Sequence, residues 1–164
     1  MSAYMKSVGV FLTCLAVSVL VSITTVAADE GHPSIAGGVP FFYYSDLQAA
    51  ADWYRNVLGL KPVTEEDWVV IFELTADSYI GLVNATGGAL KPIEDKGALL
   101  SIDTAELEAW WDKVKDVEGI KIKNGIITGA DGMIEQFSLY DPGGYIVEFF
   151  RWKEHRPEAQ RYPK

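Results

Sequence analysis

Residues 39–63, VPFFYYSDLQAAADWYRNVLGLKPV, and residues 97–123, GALLSIDTAELEAWWDKVKDVEGIKIK, follow one plan. Each opens with an apolar run ending at an aspartate, Asp46 or Asp103, and places a tryptophan seven residues on, Trp53 or Trp110. Each then reaches a glycine, Gly59 or Gly119, that leads into a short apolar-basic run. Self-similarity of this kind restricts the chain to folds built from two copies of one supersecondary unit.

The middle of each copy reads as a helix. Ala50, Trp53, Tyr54, Val57 and Leu58 form one apolar stripe in the first, and Leu107, Trp110, Trp111 and Val114 form another in the second. The two tryptophans are therefore expected in the core, as equivalents. Ser45 and Gln48 have capping-box spacing, Asp103 and Glu106 stand at the start of the second helix, and Gly59 suits a C-terminal stop. Strand-like segments follow. WVVIFEL and SYIGLVN meet at an Ala76-Asp77 turn, and MIEQFSL and GYIVEFF meet at YDPGG, whose Asp-Pro-Gly run is strong turn chemistry. Each copy thus predicts strand, helix and three strands. The expected class is α+β, with two βαβββ units (about 38–84 and 97–152) forming a curved mixed sheet around a central cleft. The stretch 84–97, with three glycines and a proline, is the linker, and 153–164 is a charged tail.

Before this domain, Lys6 precedes a long uncharged apolar run ending in Val26-Ala27-Ala28, which fits a signal peptide (1–28) cleaved before Asp29. The expected location is secreted or periplasmic; an uncleaved membrane anchor is the alternative, since the run is almost long enough to span. Cleavage removes 28 of 164 residues and with them Cys14, the only cysteine, so the mature chain has no disulfide and no thiol ligand. Loss of Lys6 takes the net charge from −9 to −10. Such a balance argues against nucleic acid or an anionic membrane surface as a partner.

The runs SDLQAAADWYRNVLGL and FSLYDPGGYIVEFF, set in two such units, resemble the vicinal oxygen chelate superfamily. That superfamily includes glyoxalase I, extradiol dioxygenases, fosfomycin-resistance enzymes and bleomycin-binding resistance proteins. The likeness covers residues 38–152. It implies a cleft between the units in which enzymes of the family hold a divalent metal on four side chains, one from each of four strands. Glu148 falls where the last carboxylate ligand is expected. The other three positions are Val39, Gly81 and Gly97, and neither histidine, His32 or His155, lies within the repeat. One carboxylate is a poor donor set for a catalytic divalent ion, which wants imidazole or carboxylate ligands.

The expectation is therefore no metal and no other cofactor, with Zn, Ni, Mn or Fe held by atypical ligands as the alternative. Alternation along the strands would put Phe41, Tyr43, Tyr79, Leu99, Ser101, Ile146, Glu148 and Phe150 toward the cleft. That lining suits a small hydrophobic or aromatic ligand held by a few polar groups, with Glu148 meeting a cation or donor. The aromatics packing into a solid core is the plain alternative. Two functions follow, a metal-free binding module or a lyase or dioxygenase of the glyoxalase kind. A third is an interaction domain whose open sheet pairs two chains as a homodimer.

Overall fold

A computed structural model of the chain describes residues 37–153. The expected signal segment and all but the first residue of the tail lie outside the described residues.

The first unit runs β1 (Phe41–Tyr44), α1 (Leu47–Trp53), a π-helical turn (Tyr54–Leu58), β2 (Pro62–Glu66), β3 (Val69–Thr75) and β4 (Ser78–Asn84). The second runs β5 (Leu99–Asp103), α2 (Leu107–Val114), β6 (Lys121–Gly129), a single 3-10 turn, β7 (Ile134–Tyr140) and β8 (Ile146–Trp152). Two four-stranded mixed sheets result, ordered β1-β4-β3-β2 and β5-β8-β7-β6. In both, the first strand is parallel to the last and the other pairs are antiparallel. A parallel pair needs a crossover connection, which the helix and two middle strands supply. The repeated sequence plan is thus a repeated topology.

Alternation divides each sheet into two faces. Phe42 and Tyr44, Phe72, and Ile80 and Leu82 turn to the helix side of the first sheet, and Leu100, Phe137 and Leu139, and Val147 and Phe149 turn to that side of the second. All are buried and belong to one apolar cluster that also takes Ala50, Tyr54 and Leu58 from the first helix and Leu107 and Val114 from α2. Both units therefore share a core.

Three local expectations need correction. Trp53 and Trp110 pack against the core but stay half-buried, and Tyr54 is the fully buried aromatic of the first helix. Large indoles at the edge of a stripe reach past the core into the boundary. Asp46, not Ser45, caps α1, its Oδ1 accepting the Ala49 N–H at 2.9 Å. Glu106, not Asp103, holds the cap position of α2, where Thr104 Oγ1 accepts the Glu106 N–H. In the first helix the chain loosens into the π turn after Trp53, and Gly59 at φ 76° ends it.

A buried polar cluster joins the units. The Asp141–Gly144 turn presents Asp141, 2% exposed, whose Oδ2 accepts the Tyr44 hydroxyl at 2.5 Å and the Tyr54 hydroxyl at 3.2 Å. Its Oδ1 accepts the Tyr145 N–H at 2.8 Å. The Tyr145 ring stacks on Phe42 at 4.3 Å, and its hydroxyl oxygen accepts the Tyr43 N–H at 3.1 Å. On the helix side, Lys113 Nζ donates to the Leu58 carbonyl at 2.7 Å.

Candidate functional site

The other face of each sheet is only partly exposed, with Val69 and Val83 buried on the first and Ser138 on the second. In the second unit, β5 and β8 pair Leu99 with Ile146, Ser101 with Glu148 and Asp103 with Phe150. Five of the expected site residues, Leu99, Ser101, Ile146, Glu148 and Phe150, are therefore brought together on one face. Glu148 Oε1 accepts the Ser101 hydroxyl at 2.7 Å. Among the described residues no lysine or arginine forms an ion pair with it. A half-buried carboxylate with an apolar residue on either side in its row keeps lone pairs for a further donor.

In the first unit, β1 and β4 pair Phe41 with Gly81 and Tyr43 with Val83. Phe41 and Tyr43 share the open face, and Tyr79 joins them by alternation from Gly81. Their rings differ in use. A Cβ at Gly81 would overlap the Phe41 ring, so that ring lies over the glycine while remaining 45% exposed. Tyr43 likewise fills the space a Cβ at Gly88 would need, beneath the linker. It also borders a hollow of about 330 Å³ with Lys96, Pro92 and Asp46. The Tyr79 hydroxyl donates to the Ala76 carbonyl at 2.9 Å, so this phenol is tied to its own turn.

The donor set does not fit a divalent ion of the family's kind. Val39 and Gly97 precede β1 and β5 and carry no donor side chain, and Phe41 occupies the space above Gly81. Strand register adds a refinement. The burial alternation of Phe41-Phe42-Tyr43 matches that of Leu99-Leu100-Ser101, so the residue paired with Tyr43, Val83, is the register counterpart of Glu148. Val83 donates no more than Gly81 does. Among the described residues, no group of three or more histidine, cysteine, aspartate or glutamate side chains is placed to hold a metal.

Sequence reasoning missed the contribution of β7. Tyr140, Ser138 and Gln136 pair with Ile146, Glu148 and Phe150 and share their face. The signal was available in IEQFSLY, where Phe137 and Leu139 alternate with polar neighbours. It also missed the Asp141 cluster, because a turn-forming aspartate satisfies the local pattern without any distant phenol.

Two βαβββ units, each with a mixed sheet covered by a helix on one face and open on the other, define a class of tandem-unit proteins built around sheet-lined sites. The chain belongs to the glyoxalase/bleomycin resistance protein/dioxygenase superfamily, whose sequence profile matches residues 35–149. Its fold is similar to that of a lactoylglutathione lyase from Agrobacterium tumefaciens, with 24% identity, a TM-score of 0.55, and 73% of this chain and 94% of that one covered. It is also similar to a family protein from Nocardioides, with 16% identity, a TM-score of 0.59, and coverage of 86% and 95%. An integron cassette protein from V. cholerae has 25% identity, a TM-score of 0.55, and coverage of 74% and 98%. No curated protein matches the sequence.

Proposed function

We propose that this chain is an exported, metal-free small-molecule-binding module of the superfamily. In this reading the ligand lies on the open sheet faces, against Phe41, Leu99, Ile146 and Phe150, with its cationic or hydrogen-bond-donating group on Glu148. The observation that carries the reading is the Ser101–Glu148 pair, a carboxylate oriented by one hydroxyl, with no ion-pair partner among the described residues, on a face that also carries Leu99, Ile146 and Phe150. A charge-assisted hydrogen bond to such a group gives orientation and affinity together. The empty donor positions at Val39, Gly81 and Gly97 support binding without a metal. Export rests on the run before Asp29, and an intact mass beginning near Asp29 is the expected result. A mature mass that retains residues 1–28 would replace export with anchoring.

The reading is tested by metal and by Glu148→Gln. A bound divalent ion would stabilise the fold by RT ln(1 + [L]/Kd), and EDTA would reverse the effect. Thermal melts with micromolar zinc, nickel, manganese or iron should show no shift. Glu148→Gln keeps an acceptor for Ser101 at nearly constant volume, so its stability should stay within about 1 kcal/mol of the parent. It should weaken an amine ligand found by screening at least about tenfold, the 1.4 kcal/mol scale of a lost ionic hydrogen bond. Stoichiometric metal in the parent that is lost in Glu148→Gln would restore the enzyme reading.

A further inference from the structure

Strand register sets the open face of the second sheet in rows that cross its strands. Across β5, β8, β7 and β6 one row reads Ser101, Glu148, Ser138 and Asn124, each paired with the next. Directly opposed residues share a face. At the irregular β6 end, a Cβ on Gly125 would meet the Trp111 ring on the helix side, so its neighbour Asn124 turns the other way. The flanking rows bring ring and aliphatic surface, Ile146 beside Tyr140 on one side and Phe150 on the other. Gln136, the β7 partner of Phe150, carries its amide over Gly129, toward β6 and away from Glu148.

Three atoms of this polar row keep hydrogen-bonding capacity. Glu148 spends Oε1 on the Ser101 hydroxyl at 2.7 Å, and its Oε2 has no partner among the described residues. Asn124 Nδ2 donates to the Gly125 carbonyl at 3.0 Å, which leaves Oδ1 as an acceptor among the described residues. Between them Ser138 is only 2% exposed, yet its hydroxyl has no partner among the described residues. Among those residues the one fully enclosed polar side-chain atom without a partner is Trp152 Nε1, so the Ser138 oxygen meets the surface at the small opening that remains. A nearly buried hydroxyl left unpaired costs free energy until something bonds it. Lys121, paired with Tyr140 on β6, stands two strands from Glu148, about 10 Å at ordinary strand spacing.

We propose that the ligand of the open face is a polyhydroxylated amine, of the amino-sugar or aminocyclitol kind, lying along this row. The proposal rests on the open-face reading and names the chemistry that Ser138 and Asn124 add to it. The ammonium takes Glu148 Oε2, a hydroxyl on the adjacent carbon accepts from the Ser138 hydroxyl, and a further hydroxyl donates to Asn124 Oδ1. Cβ atoms of directly opposed residues in an antiparallel pair lie about 5 Å apart, within reach of groups on adjacent carbons. The C–H edges of the ligand ring meet Ile146 and Tyr140 on one side and Phe150 on the other.

Cyclohexylamine and trans-2-aminocyclohexanol, both ammonium ions at neutral pH, differ only by the hydroxyl and serve as matched probes. In NMR titrations of the full chain, the amino alcohol should bind at least about fivefold tighter than the amine, the scale of one net hydrogen bond. Ser138→Ala removes a hydroxyl with no partner among the described residues, so it should melt with the parent. It should leave cyclohexylamine affinity within about twofold and bring the two probes within about twofold of each other. Glu148→Gln should weaken both probes. Binding of neither probe, or no loss in Glu148→Gln, would remove the open-face reading and this proposal with it. Equal affinity of the two probes in the parent, or a preference that survives Ser138→Ala, would overturn the polar-row proposal alone and leave that reading in place.

Discussion

Asp141→Ala should destabilise the fold by about 3–5 kcal/mol, read as a shift in the urea midpoint at constant slope. The substitution strands three buried donors at once, the Tyr44 and Tyr54 hydroxyls and the Tyr145 N–H. Each loses its partner without regaining water, which costs more than the net worth of a hydrogen bond. Because Tyr44 and Tyr54 belong to the first unit and Asp141 to the second, the cost falls on the junction that positions the two open faces. Asp141→Asn keeps an acceptor for Tyr145 and should cost about 1–2 kcal/mol. Burial raises the Asp141 carboxyl above its usual range, against hydrogen bonds from Tyr44, the turn backbone and Tyr54 that pull it down. Burial also holds both phenols well above the ordinary tyrosine range, so they stay protonated donors. The folded chain then holds this proton more tightly than the unfolded chain does. Its stabilising contribution is complete below the unfolded aspartate value, about 3.9, and is lost as pH rises through the raised folded value. The stability margin of the parent over Asp141→Asn should therefore shrink with rising pH across that window. A margin that grows with pH, or an Asp141→Ala variant as stable as the parent, would remove the cluster from the account.

The sequence made the topology legible because it states the same unit twice. Strand ends such as Ser78–Asn84, and the turn at Asp141, follow from alternation and from Pro and Gly chemistry, which are local. Non-local facts were the ones it hid. Ser45 and Asp46 are both able caps, and only the backbone angle of Asp46 decided between them. Trp53 lies on the apolar stripe as Tyr54 does, but the stripe has an edge, and the larger ring took it. In the site, alternation placed Ser101 and Glu148 on one face, and strand register then brought them into contact. No sequence pattern told that Phe41 would cover Gly81 or that the Tyr79 hydroxyl would be spent on Ala76, since both depend on rotamers set by neighbours across the sheet.

Phe149→Ala should cost about 3–5 kcal/mol although its chain neighbour Glu148 can be changed almost freely. In β8, alternate residues face opposite ways, so one step along the strand passes from candidate site to core. Phe149 is fully buried between two rings, Trp110 at 4.7 Å and Phe137 at 4.9 Å with planes 14° apart. Truncation removes the transfer energy of the ring and leaves a cavity that those two rings cannot both close. Trp110 would lose the surface it stacks on, so its fluorescence should move toward that of exposed indole before global unfolding. Glu148→Gln should leave both the midpoint and the Trp110 signal where they are in the parent. Should Glu148→Gln destabilise as much as Phe149→Ala, the two faces of β8 are exchanged. The carboxylate would then belong to the core, and the open-face site would lose its anchor.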